Sequence, residues 1–170
     1  MKSLFVCFLI LVLSAPAQAQ DLTLRNLLKL RGMEITKVDK KLSRKGWKFM
    51  SDSKPSDKVM GKAVWAYSPN PTGAIAWCVL YYNDTSPSRI LYNAYAGNAV
   101  QKIHKKMRLR KLLPVSEGNT LEGVEQLEYY ADYPENKYVL RLLKYQQFGF
   151  SGVKIFEKAD YEKARENGRL

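Results

Sequence analysis

Histidine occurs once in this chain of 170 residues, as His104, and cysteine twice, as Cys7 and Cys78. A single imidazole excludes any centre built on a histidine pair, such as an H-E-x-x-H zinc helix, and two widely separated cysteines exclude a Cys/His cluster. The ten glycines stand singly at turns and helix ends, so no glycine-rich phosphate cradle is present. There is no G-x-S-x-G, and a Ser/His/Asp triad would have to be assembled on His104. That residue lies among Lys102, Lys105 and Lys106 and reads as a solvated surface side chain. No metal and no cofactor are expected. Acid is scarce as well: 28 Lys or Arg stand against 16 Asp or Glu, a formal charge of +12. A field of that sign attracts anionic partners without naming them. The chain carries no nucleic-acid motif, which leaves a protein or an anionic envelope component as the expected partner.

Long apolar runs are also missing, with one exception at the start. Lys2, the run Leu4 to Leu13 and the small-residue site Ala17-Gln18-Ala19 together read as a secretory signal over residues 1–19, cleaved near Ala19. The run is too short for a spanning helix, which wants roughly 20 apolar residues. The expectation is an exported chain, periplasmic or secreted, with no transmembrane segment after cleavage. Its 27 basic residues would then face 16 acidic ones. Cys78 alone would remain, so no internal disulfide forms, and a thiol inside the apolar stretch Ala74 to Tyr82 reads as buried and inert. Residues 20–170 are one domain's worth of chain.

Along that domain, Leu22, Leu24, Leu27, Leu28 and Leu30 form a helical stripe ending at Gly32, which suits a left-handed cap. A second helix is expected with Thr36 as cap, Val38 and Leu42 inward, and Gly46 as stop. Extended segments follow at Lys62–Ser68, Ala74–Tyr82 and Arg89–Tyr95, separated by the turns Pro69 to Gly73 and Asn83 to Pro87. Asn98 with Gln101 opens a helix carrying Val100, Ile103 and Met107 to about Leu109, and Pro114 cannot continue it. Strands are then expected over Gln126–Asp132, Lys137–Gln146 and Gly152–Lys158. Both halves, about 36–95 and 98–158, read as helix, short extended piece and three strands. A slide of 63 residues sets Ile75, Trp77 and Val79 on Tyr138, Leu140 and Leu142, as an internal repeat would. The fold class is α+β: an antiparallel sheet of two helix-plus-meander units with helices packed on one face.

Because successive strand residues point opposite ways, alternation sorts the side chains into two layers. Trp65, Tyr67, Ile75, Trp77, Val79, Tyr81, Ile90, Tyr92, Tyr129, Tyr138, Leu140, Leu142, Val153 and Ile155 make the expected core layer. The other layer is mixed. Its Tyr82, Tyr95, Tyr130, Arg141 and Tyr145 are candidates for partner recognition, since Tyr and Arg combine apolar area with a hydrogen-bonding tip. A second candidate is the basic stretch 101–111, whose Lys102, Lys105, Lys106, Arg108, Arg110 and Lys111 offer an anion-binding surface opposite an apolar stripe. Glu128 and Asp132 are the remaining chemistry-bearing pair. Two carboxylates on one strand face suffice for a hydrolase, although the plainer reading is that they partner Arg141, Lys144 or Lys154 across neighbouring strands.

From Thr36 to Lys158 the layout resembles the tandem helix-plus-sheet architecture of the beta-lactamase-inhibitor-like proteins. In general style the chain is similar to small exported proteins of unknown function from Bacteroidetes-type bacteria. The resemblance rests on element order and carries no diagnostic motif, so no residue role transfers. It implies a fold whose members often bind proteins through the sheet face. The sequence thus favours a non-enzymatic exported binding protein using the Tyr/Arg-bearing face. Its alternatives are a binder of anionic envelope polymer or membrane surface through 101–111, and a hydrolase using Glu128 and Asp132.

Overall fold

The computed structural model describes residues 21–57 and 59–168; the leading segment read as an export signal lies outside them. Two short helices come first, α1 (Leu24–Arg31) and α2 (Ile35–Ser43). The strands β1 (Trp47–Ser53), β2 (Gly61–Asn70), β3 (Gly73–Tyr82) and β4 (Arg89–Tyr95) follow. Helix α3 (Asn98–Leu109) opens the second half, with β5 (Ser116–Gly118), β6 (Leu127–Glu135), β7 (Tyr138–Tyr145), β8 (Phe150–Glu157) and the closing helix α4 (Lys158–Glu166). The strands form one antiparallel sheet in the order β1-β2-β3-β4-β8-β7-β6-β5. Each half is a meander laid down in chain order, and the two meet where β4 pairs with β8.

Cross-strand register identifies the buried face. Trp65 stands opposite Cys78, Cys78 opposite Tyr92, Tyr92 opposite Val153 and Val153 opposite Leu142, a continuous inward row across five strands. Leu27 and Leu30 of α1, Val38 and Leu42 of α2, and Ile103 and Met107 of α3 close over it in one cluster. Helix α2 sits on β1 and β2, α1 on β4 and α3 on β8. A polar tether fixes α2 as well, since the buried Trp65 indole donates to Asp39 Oδ1 at 3.0 Å.

The structure corrects the layer sorting in β3. Ala76, Cys78, Leu80 and Tyr82 face the helices, while Ile75, Trp77, Val79 and Tyr81 lie on the outer face. Every residue of this strand from Ala74 to Tyr82 is apolar or aromatic, so hydrophobicity does not choose a side; size does. The small Ala76 and Cys78 fit beside the bulk of Trp65 and Tyr92, as interdigitating layers require. Burial pushes the Cys78 thiol up to about 12. The slide of 63 residues therefore sets outward Ile75, Trp77 and Val79 on inward Tyr138, Leu140 and Leu142, out of phase by one residue.

Helices also occupy both faces rather than one. Tyr161 of α4 packs with Val139 and Phe156, which alternate with inward Leu140 and Ile155 and so belong to the outer face. Smaller differences are local. Gly32 ends α1 at φ −92°, outside the left-handed region, and α2 begins after Glu34 instead of Thr36. Strand β2 runs to Asn70, past the Pro69 that reads as a turn, and Tyr129, beside a bulge in β6, is 41% exposed rather than in the core.

Inside and outside on β3 are separable by urea unfolding. Leu80→Ala removes a side chain 1% exposed and is expected to cost about 2–5 kcal/mol. Ile75→Ala, at a position 37% exposed, is expected to cost less than about 1 kcal/mol. The opposite ranking would turn the strand over.

Candidate functional site: two faces of one sheet

The outer face carries an ion cluster where α4 crosses β7 and β8. Arg141 donates through Nε and Nη2 to the two Asp132 oxygens at 2.7 and 2.8 Å, and the Tyr161 hydroxyl adds a third bond to Oδ2 at 2.9 Å. Arg89 makes the same two-point contact with Asp160 at 2.7 and 3.0 Å. Asp132 is fully buried and Arg141 3% exposed. Such planar forks satisfy both groups at once, which is what allows them under a helix.

Lys154 completes the cluster without a carboxylate of its own. It lies directly across from Arg141 on β7, with its Nζ 4.7 Å from the Tyr81 ring centre and 5.2 Å from that of Phe156. Burial, followed by the charges of Arg89 and Arg141, lowers its pKa to about 8. Nearby, Tyr145 donates to Asn93 Oδ1 at 3.1 Å. The Asn93 amide lies over Gly152, where a Cβ would meet Oδ1 at 2.0 Å, so this position needs glycine for close approach.

The recognition set read from the sequence is divided. Tyr95, Tyr130 and Tyr145 lie on the outer face with Trp77 and Phe150, and Tyr95 is 45% exposed. Tyr82 does not join them: it is on the helix-covered face at the end of β3, donating to Asp52 Oδ1 at 2.6 Å. Arg141 shares the outer face, but α4 covers it and Asp132 occupies its donors. Glu128 pairs with exposed Lys144 beside a bulge in β6, so the two carboxylates meet different cations. Sequence reasoning missed α4, and with it the cover over Arg141. The available signal was the polar run after Glu157 with Tyr161 and Ala164 three residues apart.

The opposite, helical side is where the charge lies. Segments 24–45 and 98–111, which contain α1, α2 and α3, hold fourteen Lys or Arg against two acids; the rest of the chain holds fourteen of each. Thirteen of those fourteen cations are exposed, Arg31 being the exception. The α3 stripe Ala99, Val100, Ile103 and Met107 is buried, which turns Lys102, Lys105, Lys106 and Arg108 toward water. Lys106 and Arg110 share Glu135, whereas Lys102, Lys105, Arg108 and Lys111 meet no carboxylate among the described residues. A groove of about 460 Å³ separates α1 from α3, with Arg25 and Lys29 on one wall and Lys106 and Arg110 on the other.

No family model, curated protein or solved structure matches this chain in comparison.

The depressed Lys154 pKa fixes a sign. Below pH 8 the lysine is charged in both states and folding carries the full cost of burying it. Between about 8 and its ordinary 10.5 the native side chain is neutral while the unfolded one still binds a proton, so stability rises with pH. Lys154→Met is therefore expected to be more stable than the parent at pH 7, with the gap narrowing by pH 9.5, as read from urea midpoints across that range. A variant less stable than the parent at neutral pH would contradict this electrostatic picture.

Proposed function

We propose that this chain is an exported, non-enzymatic binding protein that engages an anionic envelope component through its helix layer. One observation carries the reading: the entire formal excess of +12 resides in the two helical segments on a single side of the sheet. Charge scattered for solubility would be spread over both faces. Charge gathered on one layer makes a directed field, attracting anions to that side at long range and holding them there on contact. The cations are displayed by a rigid scaffold, since the same helices bury their apolar residues against the sheet.

The test is reversal of cations that hold nothing else in place. A cation near an anionic surface contributes about 1 kcal/mol, so changing Lys102, Lys105 and Arg108 together to Glu is expected to weaken binding at least roughly a hundredfold. Probes are long-chain polyphosphate and vesicles containing phosphatidylglycerol, with affinity falling steeply as salt rises from ~50 to ~200 mM. All three positions are exposed, so the thermal midpoint should hold. Unchanged affinity for both probes would refute the reading.

A second reading, recognition through the outer sheet face, is favoured by Lys154, a half-buried ammonium among aromatic rings with no ion-paired carboxylate among the described residues. A carboxylate borne on an apolar body would supply the missing counter-charge. Here the probe is 3-phenylpropionate, expected to shift the β8 amide resonances in the parent and not in Lys154→Met. Equal shifts in both would remove this reading.

A further inference from the structure

The residues just beyond the basic helix add an apolar element to the charged side. Leu109 is 74% exposed and Leu113 80%, interleaved in sequence with Lys105, Arg108, Arg110 and Lys111, whereas Val115 lies beside α4 on the outer face. The way α3 ends explains this arrangement. Lys111 adopts φ +54°, the left-handed position after the cap; its N–H bonds to Arg108 C=O at 3.0 Å, and the N–H of Leu112 bonds to Met107 C=O at 3.2 Å. That pair of reversed bonds is the Schellman closure, which brings the residue after the left-handed turn back against the last inward helix residue. Leu112 accordingly packs on the core with Met107, while Leu109, three residues before it, and Leu113, directly after it, are left outside. Val115 then bonds through its N–H to Asp132 C=O at 2.9 Å, which fixes the far end of the segment to β6.

We infer that this side docks on an anionic lipid bilayer, with Leu109 and Leu113 entering the interface while the surrounding cations hold lipid headgroups. The inference rests on the helix-layer reading above and narrows its anion to a membrane. Two features select a bilayer over a soluble polyanion. Thirteen exposed cations are spread over the three helical elements and only four of them line the groove between α1 and α3, which suits an extended surface. Two leucines held in water beside them have an apolar phase to enter only at a membrane, where cationic and apolar contributions combine. The buried α3 stripe takes no part, since Val100, Ile103 and Met107 are occupied by the sheet.

The experiment compares chains that differ only at these positions. Leu109→Ser with Leu113→Ser keeps every charge. It is expected to lower partitioning onto vesicles of phosphatidylcholine and phosphatidylglycerol by at least roughly tenfold, while leaving affinity for polyphosphate unchanged. A Leu113→Trp chain should show a blue-shifted emission on those vesicles and quenching by bromine-labelled acyl chains, with neither effect on pure phosphatidylcholine. Parent-like vesicle binding by the double serine variant, or no quenching of the new tryptophan, would overturn lipid insertion and leave the charge reading standing. Loss of binding to vesicles and polyphosphate alike in the parent would sink both.

Discussion

The pairing of β4 with β8 is the joint on which the molecule depends. Each half alone is a four-stranded meander with a free edge, and a free edge is an unpaired row of N–H and C=O groups. Joining the last strands of the two halves, Ile90 to Ile155 and Tyr92 to Val153, satisfies both rows and makes one inner face from two. Only then do α1, α2 and α3 share a floor, and only then do their outer surfaces form a single charged layer. The seam also sets the outer face, because it brings Arg89 of β4 within reach of Asp160 on the helix that follows β8.

Much of this was legible in the sequence because period and punctuation agree. Arg89–Tyr95 stands where alternation puts it, and the helix Asn98 to Leu109 where its apolar spacing and Pro114 put it, although Gly97 and not Asn98 occupies the cap and no side chain closes it. The α+β class and the antiparallel meanders follow from strand runs joined by short turns. Strand β3 was illegible in one respect, since a segment apolar on both sides has no polar face to mark the outside. Its orientation is a property of its neighbours, fixed when Cys78 meets Trp65 and Tyr92. Helix α4 was illegible for the complementary reason. It is nearly all polar, and it is held by two ion-paired aspartates and Tyr161 more than by an apolar stripe. That hidden helix is also why Arg141 reads as a recognition residue in sequence and as a covered one in the fold.

The two faces treat charge differently. On the outer face, Arg141 and Arg89 are each answered by a carboxylate in a two-point fork, so their burial is compensated, and beside them Lys154 makes no ion pair among the described residues. On the helical side almost nothing is answered. Glu34 pairs with Lys37, Glu135 with Lys106 and Arg110, and most other cations face water. Pairing on one side and display on the other is a partition that folding alone does not require, because the interleaved signs of a soluble surface would serve the fold equally well.

Helix dipoles account for part of that display but not for the rest. The last turns of all three helices carry cations, Lys29 and Arg31, Lys40 and Lys41, Lys106 and Arg108, where each stabilises the partial negative charge by about 0.3–1 kcal/mol. The same rule asks for acids in the first turns, and none of the three has one. Arg25 stands in the opening turn of α1, where its sign opposes the dipole, and Lys102 adds a cation to the middle of α3 with no carboxylate nearby. These positions cost the helices stability that Glu would have contributed. Their sign is accounted for by the proposed role of the helix layer, since an external anion would restore the missing negative charge when that layer is covered.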